Sequence, residues 1–388
     1  MEILAERLRA LDAPGLRRHL RPATGVDLCS NDYLGLARDP ELARRAAVAL
    51  ADFPSGAAGS RLLRGESELH ETTETVLARA AGRESAVLFP SGYQANLALL
   101  SSLLRPGDQV FSDALNHASI IDALRLGRAE RHVYPHADAA ELGRLLDRTR
   151  PTAAAPGALR LFVTESLFSM DGDAAPLAAL CDLAEEHSAL LVVDEAHATG
   201  LYGATGGGLA QAQGLSSRIF ATVHTGGKAL GVGGAWVAGD RMLKDYLVNF
   251  SRPFIFSTAP IPALCLLLRL ALERWGEVGP ERAPLLLRRA ARLREKLRPL
   301  SRENPQRLMT NDPGPASGPI LPFILGDNKR AVDVAEALRK RGFDARAVRP
   351  PTVPLGTARL RLTVTWPVPD ETLDRFVLAL RETLAEIR

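Results

Sequence analysis

The chain has 388 residues, 46% hydrophobic and 24% charged, which is enough apolar material for a large core and predicts two domains. A formal net charge of +3, with the basic residues spread along the chain, gives no polybasic tract of the kind that marks a nucleic-acid partner. The apolar runs Ala189–Val193 and Ala263–Leu268 fall far short of the roughly 20 residues a membrane helix needs. The first residues interleave Glu2, Glu6, Arg7 and Arg9 with apolar ones, so neither a membrane span nor a signal peptide is expected. Cys29, Cys181 and Cys265 are odd in number and widely spaced, which argues against a disulfide framework or a zinc site and points to the cytoplasm.

From Arg83 to Val237, short β-rich runs alternate with helical patterns. Ala86–Phe89, Gln109–Phe111, His132–Tyr134, Leu161–Thr164, Leu190–Val193, Ile219–Val223 and Ala235–Ala238 read as strands. Tyr93–Leu104, Ser119–Leu126, Ala139–Asp147 and Pro176–His187 read as helices between them. This alternation predicts an α/β fold, a mostly parallel central sheet with helices on both faces. The strands lack polar alternation, as strands buried on both sides do. After Pro260 come two long helical stretches, Ala263–Trp275 and Leu285–Leu297, then a strand Ile320–Leu325, a helix Ala331–Arg341, strands at Ala345–Val348 and Arg359–Val364, and a last helix Glu371–Ile387. Asn311–Pro319 is a Pro/Gly-rich loop. The expected organisation is an N-terminal arm (1–40), a large domain (41–262) and a smaller C-terminal α+β domain (263–388), without internal repeats.

Ligands of open α/β sheets gather at the carboxyl ends of the strands. Asp194, Glu165, the group Ser91-Gly92-Tyr93 and the turn Thr225-Gly226-Gly227-Lys228 all lie at such exits. The four letters Asp194-Glu195-Ala196-His197 also spell the magnesium-binding box of a helicase family. A helicase requires a phosphate loop G-x-x-x-x-G-K-[ST] upstream of that box. The chain has just five lysines and the first is Lys228, so no lysine precedes Asp194 and the ATPase reading fails.

A carboxylate, an imidazole and an isolated lysine suit pyridoxal 5'-phosphate, whose aldehyde takes a lysine amine and whose pyridine nitrogen must be kept protonated by an acid. Asp194 fits the acid, against the alternatives of a helix cap or a salt bridge. Lys228 fits the amine, because Gly226, Gly227, Gly231, Gly233 and Gly234 around it let backbone approach a flat ligand, which a surface lysine does not need. Ser91-Gly92-Tyr93, where a strand turns into a helix, would offer free N–H groups to a phosphate, and Thr225 a hydroxyl. Simple capping is the competing reading of that Ser-Gly pair.

Seven stretches carry a family resemblance: Ser30-Asn31-Asp32-Tyr33-Leu34-Gly35-Leu36; Gly59-Ser60-Arg61-Leu62-Leu63-Arg64-Gly65; Ser91-Gly92-Tyr93-Gln94-Ala95-Asn96; Asn116-His117-Ala118-Ser119; Thr164 through Asp173; Asp194 through Gly200; and Thr225 through Lys228. With them the chain resembles the α-oxoamine synthases, fold-type-I pyridoxal-phosphate enzymes that act as homodimeric acyltransferases. Arg349-Pro350-Pro351-Thr352-Val353-Pro354 and the following Gly356–Leu362 lean toward the biotin-forming branch, which condenses L-alanine with a pimeloyl thioester of coenzyme A or acyl carrier protein. A glycine-using acetyltransferase or a longer-chain acyltransferase of the same family is the alternative.

The resemblance implies a role for each matching residue. Lys228 would anchor the cofactor and move the substrate's α-proton; Asp194 would pair with the ring nitrogen, and His197 with the phenolic oxygen. His117 would stack on the ring face, Ser169 would lie near the phenolic oxygen, and Glu165 near the substrate. Ser91, Gly92, Tyr93 and Thr225 would hold the phosphate, with Ser257 and Thr258 reaching the neighbouring subunit's. Arg361 would clamp the amino-acid carboxylate through its planar fork. Asn31 and Thr352 would contact substrate, and Arg17 the far carboxylate of the acyl chain. Three places depart from the family pattern: Pro54–Ser60 carries alanines where glycine or serine is common, the following helix reads His70-Glu71-Thr72-Thr73-Glu74 rather than His-x-x-Leu-Glu, and the arm before Asp27, where the acyl-chain contacts would lie, is shorter and less alike.

Overall fold

The computed structural model describes residues 1–12, 15–149, 157–301 and 317–387. They form two compact units, one from Leu34–Phe168 with Ala174–Ala283, the other from Met1–Tyr33, Ser169–Asp173 and Pro284–Arg388.

The larger unit is built on a seven-stranded sheet in the order Ser85–Phe89, Ala235–Gly239, Ala221–Thr225, Leu190–Asp194, Arg160–Glu165, Gln109–Asp113, Glu130–Tyr134. Ala235–Gly239 runs antiparallel to both its neighbours, and the remaining pairs are parallel, so the sheet is mostly parallel as the alternating pattern predicts. The central strands are buried on both faces, which is why they read as unbroken apolar runs. Glu130–Tyr134 closes one edge, and there Glu130, Arg131 and Val133 are exposed. Helices Glu68–Ala81, Gly92–Leu103 and Leu177–Glu186 pack against the sheet. The parallel register sets Glu165 beside Asp194 and Asp194 beside Val223, so the carboxyl ends of two adjacent strands lie level and the third runs two residues further, to Thr225.

Two expected elements differ. The strand read at Ile219–Val223 runs instead over Ala221–Thr225. The Arg83 guanidinium donates to the carbonyls of Ile219 (2.6 Å) and Phe220 (3.1 Å), acceptors that a longer ladder would use. The helices read at Ala263–Trp275 and Leu285–Leu297 are parts of one helix, Pro262–Ser301. Gly276, Gly279 and Pro280 punctuate the sequence without ending it. A Cβ on Gly279 would meet the Trp275 indole at 2.4 Å, and Trp275 Nε1 donates to the Gly200 carbonyl at 2.8 Å. Gly279 is therefore a packing requirement rather than a break.

In the smaller unit, a three-stranded antiparallel sheet runs in the order Ala347–Val348, Ala358–Thr363, Ile320–Gly326. Helix Asn328–Lys340 packs on it, and helix Asp370–Glu386 packs on that helix. Val26–Asp27 pairs in parallel with Phe343–Asp344, bringing the N-terminal segment onto the C-terminal part of the chain. Of the expected loop Asn311–Pro319, residues 311–316 lie outside the described residues. Among the described residues no helix is long and apolar enough to cross a membrane.

Candidate active site

In the larger unit the site is assembled at the level strand ends. Asp194 is the last residue of its strand and is 6% exposed. Its Oδ1 accepts from the Ala196 N–H (2.8 Å) and its Oδ2 from Asn96 Nδ2 (2.7 Å), so both bonded donors are neutral. A buried carboxylate gains most from a cationic partner, which offsets its desolvation. Glu165, paired with Asp194 across the adjoining strand end, and His197, in the turn after Asp194, are both buried.

Lys228 is half-buried in a tight turn closed by Gly226 N–H to Gly234 O, Val232 N–H to Gly226 O and Gly231 N–H to Lys228 O, each 2.9 Å. The glycines serve this turn and its neighbours. Gly231 has φ +68°, and a Cβ there would meet Ala37 N at 2.1 Å; one on Gly226 would meet Gly233 O at 2.6 Å. The Thr225 hydroxyl donates to Gly234 O (3.0 Å) and accepts from Gly227 N–H (3.1 Å), so it braces the same turn.

His117 caps helix Ala118–Gly127. Its Nδ1 edge faces the fully buried Ser119 while the rest of the ring is exposed. Desolvation holds its pKa below the ordinary histidine value, helped by the Lys228 charge and opposed by Asp194, so the imidazole lies within electrostatic reach of both. Ser91 caps helix Gly92–Leu103 by accepting from Gln94 N–H at 3.3 Å. The Gly92 and Tyr93 amides therefore open the helix with no carbonyl partner inside it, an anion-binding arrangement. The Tyr93 hydroxyl donates to Asp122. Ser257 is half-buried and Thr258 exposed, and Gln94 Nε2 reaches Ser257 Oγ at 3.5 Å.

The smaller unit holds a second group. Arg361 and Arg359 point to one face of their strand, as period-two alternation requires. Arg359 is spent on Asp171 (2.6 Å). Arg361, 8% exposed, donates through Nε to Ser169 O (2.5 Å) and through Nη2 to Asn31 Oδ1 (3.0 Å). Tyr33 also hydrogen-bonds the same guanidinium. Tyr33 OH donates to the same Asn31 oxygen at 3.2 Å; burial pushes its pKa up to about 12, opposed by Arg361.

A cavity of about 510 Å³ in this unit is lined by Arg17, Arg18, Arg21, Arg346 and Arg349 among others. Arg17 is paired with Asp12 at 3.0 Å, whereas Arg18 donates to Thr352 Oγ1 (3.4 Å) and Arg349 to backbone carbonyls. Desolvation, together with the charges of Arg18 and Arg21, holds the Arg349 pKa below the usual arginine value.

Residues 23–380 match the model of the aminotransferase class I and II family. The chain is 44% identical to 8-amino-7-oxononanoate synthase of Anaeromyxobacter dehalogenans (strain 2CP-1 / ATCC BAA-258), covering 100% of this chain and 96% of that protein. It belongs to the 8-amino-7-oxononanoate synthase family. The relative from Alkalilimnicola ehrlichii (strain ATCC BAA-1101 / DSM 17681 / MLHE-1) is 39% identical over 99% of this chain and 98% of its own. Among solved structures, serine palmitoyltransferase from S. paucimobilis superposes with a TM-score of 0.88 at 28% identity, covering 100% of this chain and 97% of that one. Fold type I and the α-oxoamine synthase resemblance are thereby both established for this family member.

The structure adds residues that the motifs did not single out. Asn96 and Ser119 bridge Asp194 and His117, Tyr33 shares Asn31 with Arg361, and Arg18 rather than Arg17 faces Thr352.

Proposed function

We propose that the protein is a cytoplasmic, homodimeric pyridoxal 5'-phosphate enzyme. It joins L-alanine to a pimeloyl thioester, carried on coenzyme A or acyl carrier protein, and releases carbon dioxide, the free thiol and 8-amino-7-oxononanoate. The observation that carries this reading is Asp194, a buried carboxylate at a strand end that accepts from Asn96 and the Ala196 N–H, within electrostatic reach of an imidazole that also feels Lys228. A protonated pyridine nitrogen would give that carboxylate a cationic partner, so the site fits the cofactor. When bound, the cofactor supplies an aldehyde for amine exchange and a ring that accepts the electron pair of a breaking Cα bond.

The chain's own residues do the rest. Lys228 Nζ anchors the cofactor, then takes the α-proton of alanine and returns one after carbon dioxide leaves. Asp194 keeps the ring nitrogen protonated, His197 holds the phenolic oxygen, and His117 covers the ring face. The Gly92 and Tyr93 amides, with Ser91 and Thr225, hold the phosphate, and Ser257 and Thr258 serve the partner subunit's. Arg361, with Asn31, fixes the alanine carboxylate and thereby the torsion of the bond to be broken. Arg17, Arg18, Arg349 and Thr352 receive the acyl end, whose far carboxylate suits a cavity rich in arginine.

The purified protein with pyridoxal phosphate should be yellow, and borohydride should fix the cofactor to the peptide containing Lys228. Turnover of L-alanine, glycine and L-serine against acyl thioesters of several lengths should favour alanine with the pimeloyl chain. A colourless protein unmodified at Lys228 would overturn the cofactor assignment. Preference for glycine with acetyl-CoA would overturn the substrate assignment alone. Light scattering at twice the chain mass tests the dimer.

A further inference from the structure

Building on that cofactor reading, we propose that Asn96 and Ser119 form a directional polar relay between Asp194 and His117, which holds the imidazole neutral with its proton on Nε2. They are positioning residues: each acts on the cofactor ring through a neighbour.

The direction follows from counting protons. Asn96 Nδ2 has two, and two acceptors face it, Asp194 Oδ2 at 2.7 Å and Ser119 Oγ at 3.0 Å. A carboxylate cannot donate, so the amide nitrogen must be turned toward Asp194, and the Asn96 oxygen is left buried without a partner. That cost is tolerated in exchange for two bonds in the right sense. Ser119 Oγ, receiving from Asn96, sends its own proton to His117 Nδ1 at 2.8 Å. The Ser119 backbone N–H points at the same nitrogen at 3.2 Å. With two donors aimed at it, Nδ1 must present its lone pair, which leaves the ring proton on Nε2.

Reversing the chain is expensive at every link. A proton on Nδ1 would oppose the Ser119 N–H, which cannot turn, and would need the hydroxyl to rotate. That rotation leaves Asn96 facing a donor unless the amide flips, and a flipped amide needs a protonated Asp194, which no longer suits a pyridinium. Asn96 and Ser119 are 2% and 0% exposed, so water cannot substitute for a lost partner. The charged groups facing His117 are Asp194 and Lys228, and with desolvation included the balance already lies toward the neutral ring. The consequence is functional: a neutral imidazole lays an electron-rich face on an electron-poor pyridinium, where an imidazolium would repel it.

The test is nitrogen NMR of the full-length protein carrying ¹⁵N-labelled histidine, with pyridoxal phosphate bound and after its removal. The His117 signals are those missing from His117→Gln. The wild type should show the Nε2–H form and titrate below the free-histidine value of about 6.5. Ser119→Ala removes a donor to the neutral form, so the His117 midpoint should rise and the two tautomers should mix. Asn96→Ala frees the Ser119 hydroxyl to accept, so it should raise the same midpoint, and the double variant should match Ser119→Ala alone. Asn96→Ala should also weaken cofactor binding about tenfold by loosening Asp194, while Ser119→Ala should leave it near wild type. A merely structural role would not move the tautomer.

An Nδ1–H form in the wild type, or a His117 midpoint unmoved by either change in a yellow protein, would overturn the relay. A colourless protein would instead overturn the cofactor reading on which it rests. Ser119→Ala deletes one oxygen and decides the matter by itself should Asn96→Ala fail to fold.

Discussion

Arg361 does two jobs with one guanidinium. Its Nε and Nη2 already bind Ser169 and Asn31, which holds the guanidinium plane rigidly before any substrate arrives. Arg361→Ala should therefore raise KM for L-alanine by roughly tenfold to a hundredfold, the worth of a lost charge-assisted hydrogen bond. Arg361→Lys should recover little, because an ammonium cannot hold both anchors and a carboxylate. Steady-state kinetics with alanine varied at saturating thioester check this; an unchanged KM would remove Arg361 from the substrate. Residues of this kind were legible because chemistry-bearing types stand at strand ends or at period-two positions in the sequence. Asn96 and Ser119 were not, since their meaning depends on partners 98 and 23 positions away.

Buried polar groups also tie elements together. Glu74, on helix Glu68–Ala81, accepts from Arg61 (2.6 Å), from Lys244 on helix Arg241–Phe250 (2.7 Å) and from the Leu88 N–H of the first sheet strand (2.9 Å). Those bonds hold its carboxyl below the usual carboxylate pKa despite the opposing, larger effect of burial. Glu74→Ala leaves buried Arg61 with Glu66 alone and half-buried Lys244 without this anion, and should cost about 3 kcal/mol, measured by urea unfolding. Gly208 makes a similar point about backbone. Its φ is +97°, and a Cβ there would meet Glu195 Oε2 at 2.3 Å. Gly208→Ala should thus destabilise by about 1–3 kcal/mol, and a thermal midpoint equal to wild type would refute the strain.

At this scale the sheet was readable, since strands buried on both faces are apolar without alternation. Helix Pro262–Ser301 was not, because Gly276, Gly279 and Pro280 look like punctuation when the Trp275 packing that keeps them helical is out of view.

Across the whole molecule, two buried groups set opposing pH dependences. Burial raises Glu195 to about 7, against hydrogen bonds from Ser166, Ala210 and Leu209. A raised folded pKa means that its contribution is complete below the unfolded value and is lost as pH rises through 7. His224, bonded to Thr199 and Thr222 and stacked on Trp236 at 5.1 Å, is lowered to about 3, first by burial and then by Arg83. Its contribution is complete above about 6.5 and is lost as pH falls toward 3. Between the two ordinary values, stability gained at one group on acidification is therefore offset by loss at the other. Between pH 5 and 8 the wild type should lose stability relative to Glu195→Gln by up to about 3 kcal/mol. Parallel denaturation curves for the two proteins at both pH values would refute that burial effect.

The smaller unit is woven from both chain ends, with Val26–Asp27 seated against Phe343–Asp344. During synthesis Val26–Asp27 must therefore wait, unpaired, until Phe343–Asp344 have been translated, while the segment from Leu34 to Ala283 can begin to condense on the ribosome. Deleting the final helix should accordingly strand the amino terminus as well, and release a protease-sensitive tail at the opposite end of the polypeptide.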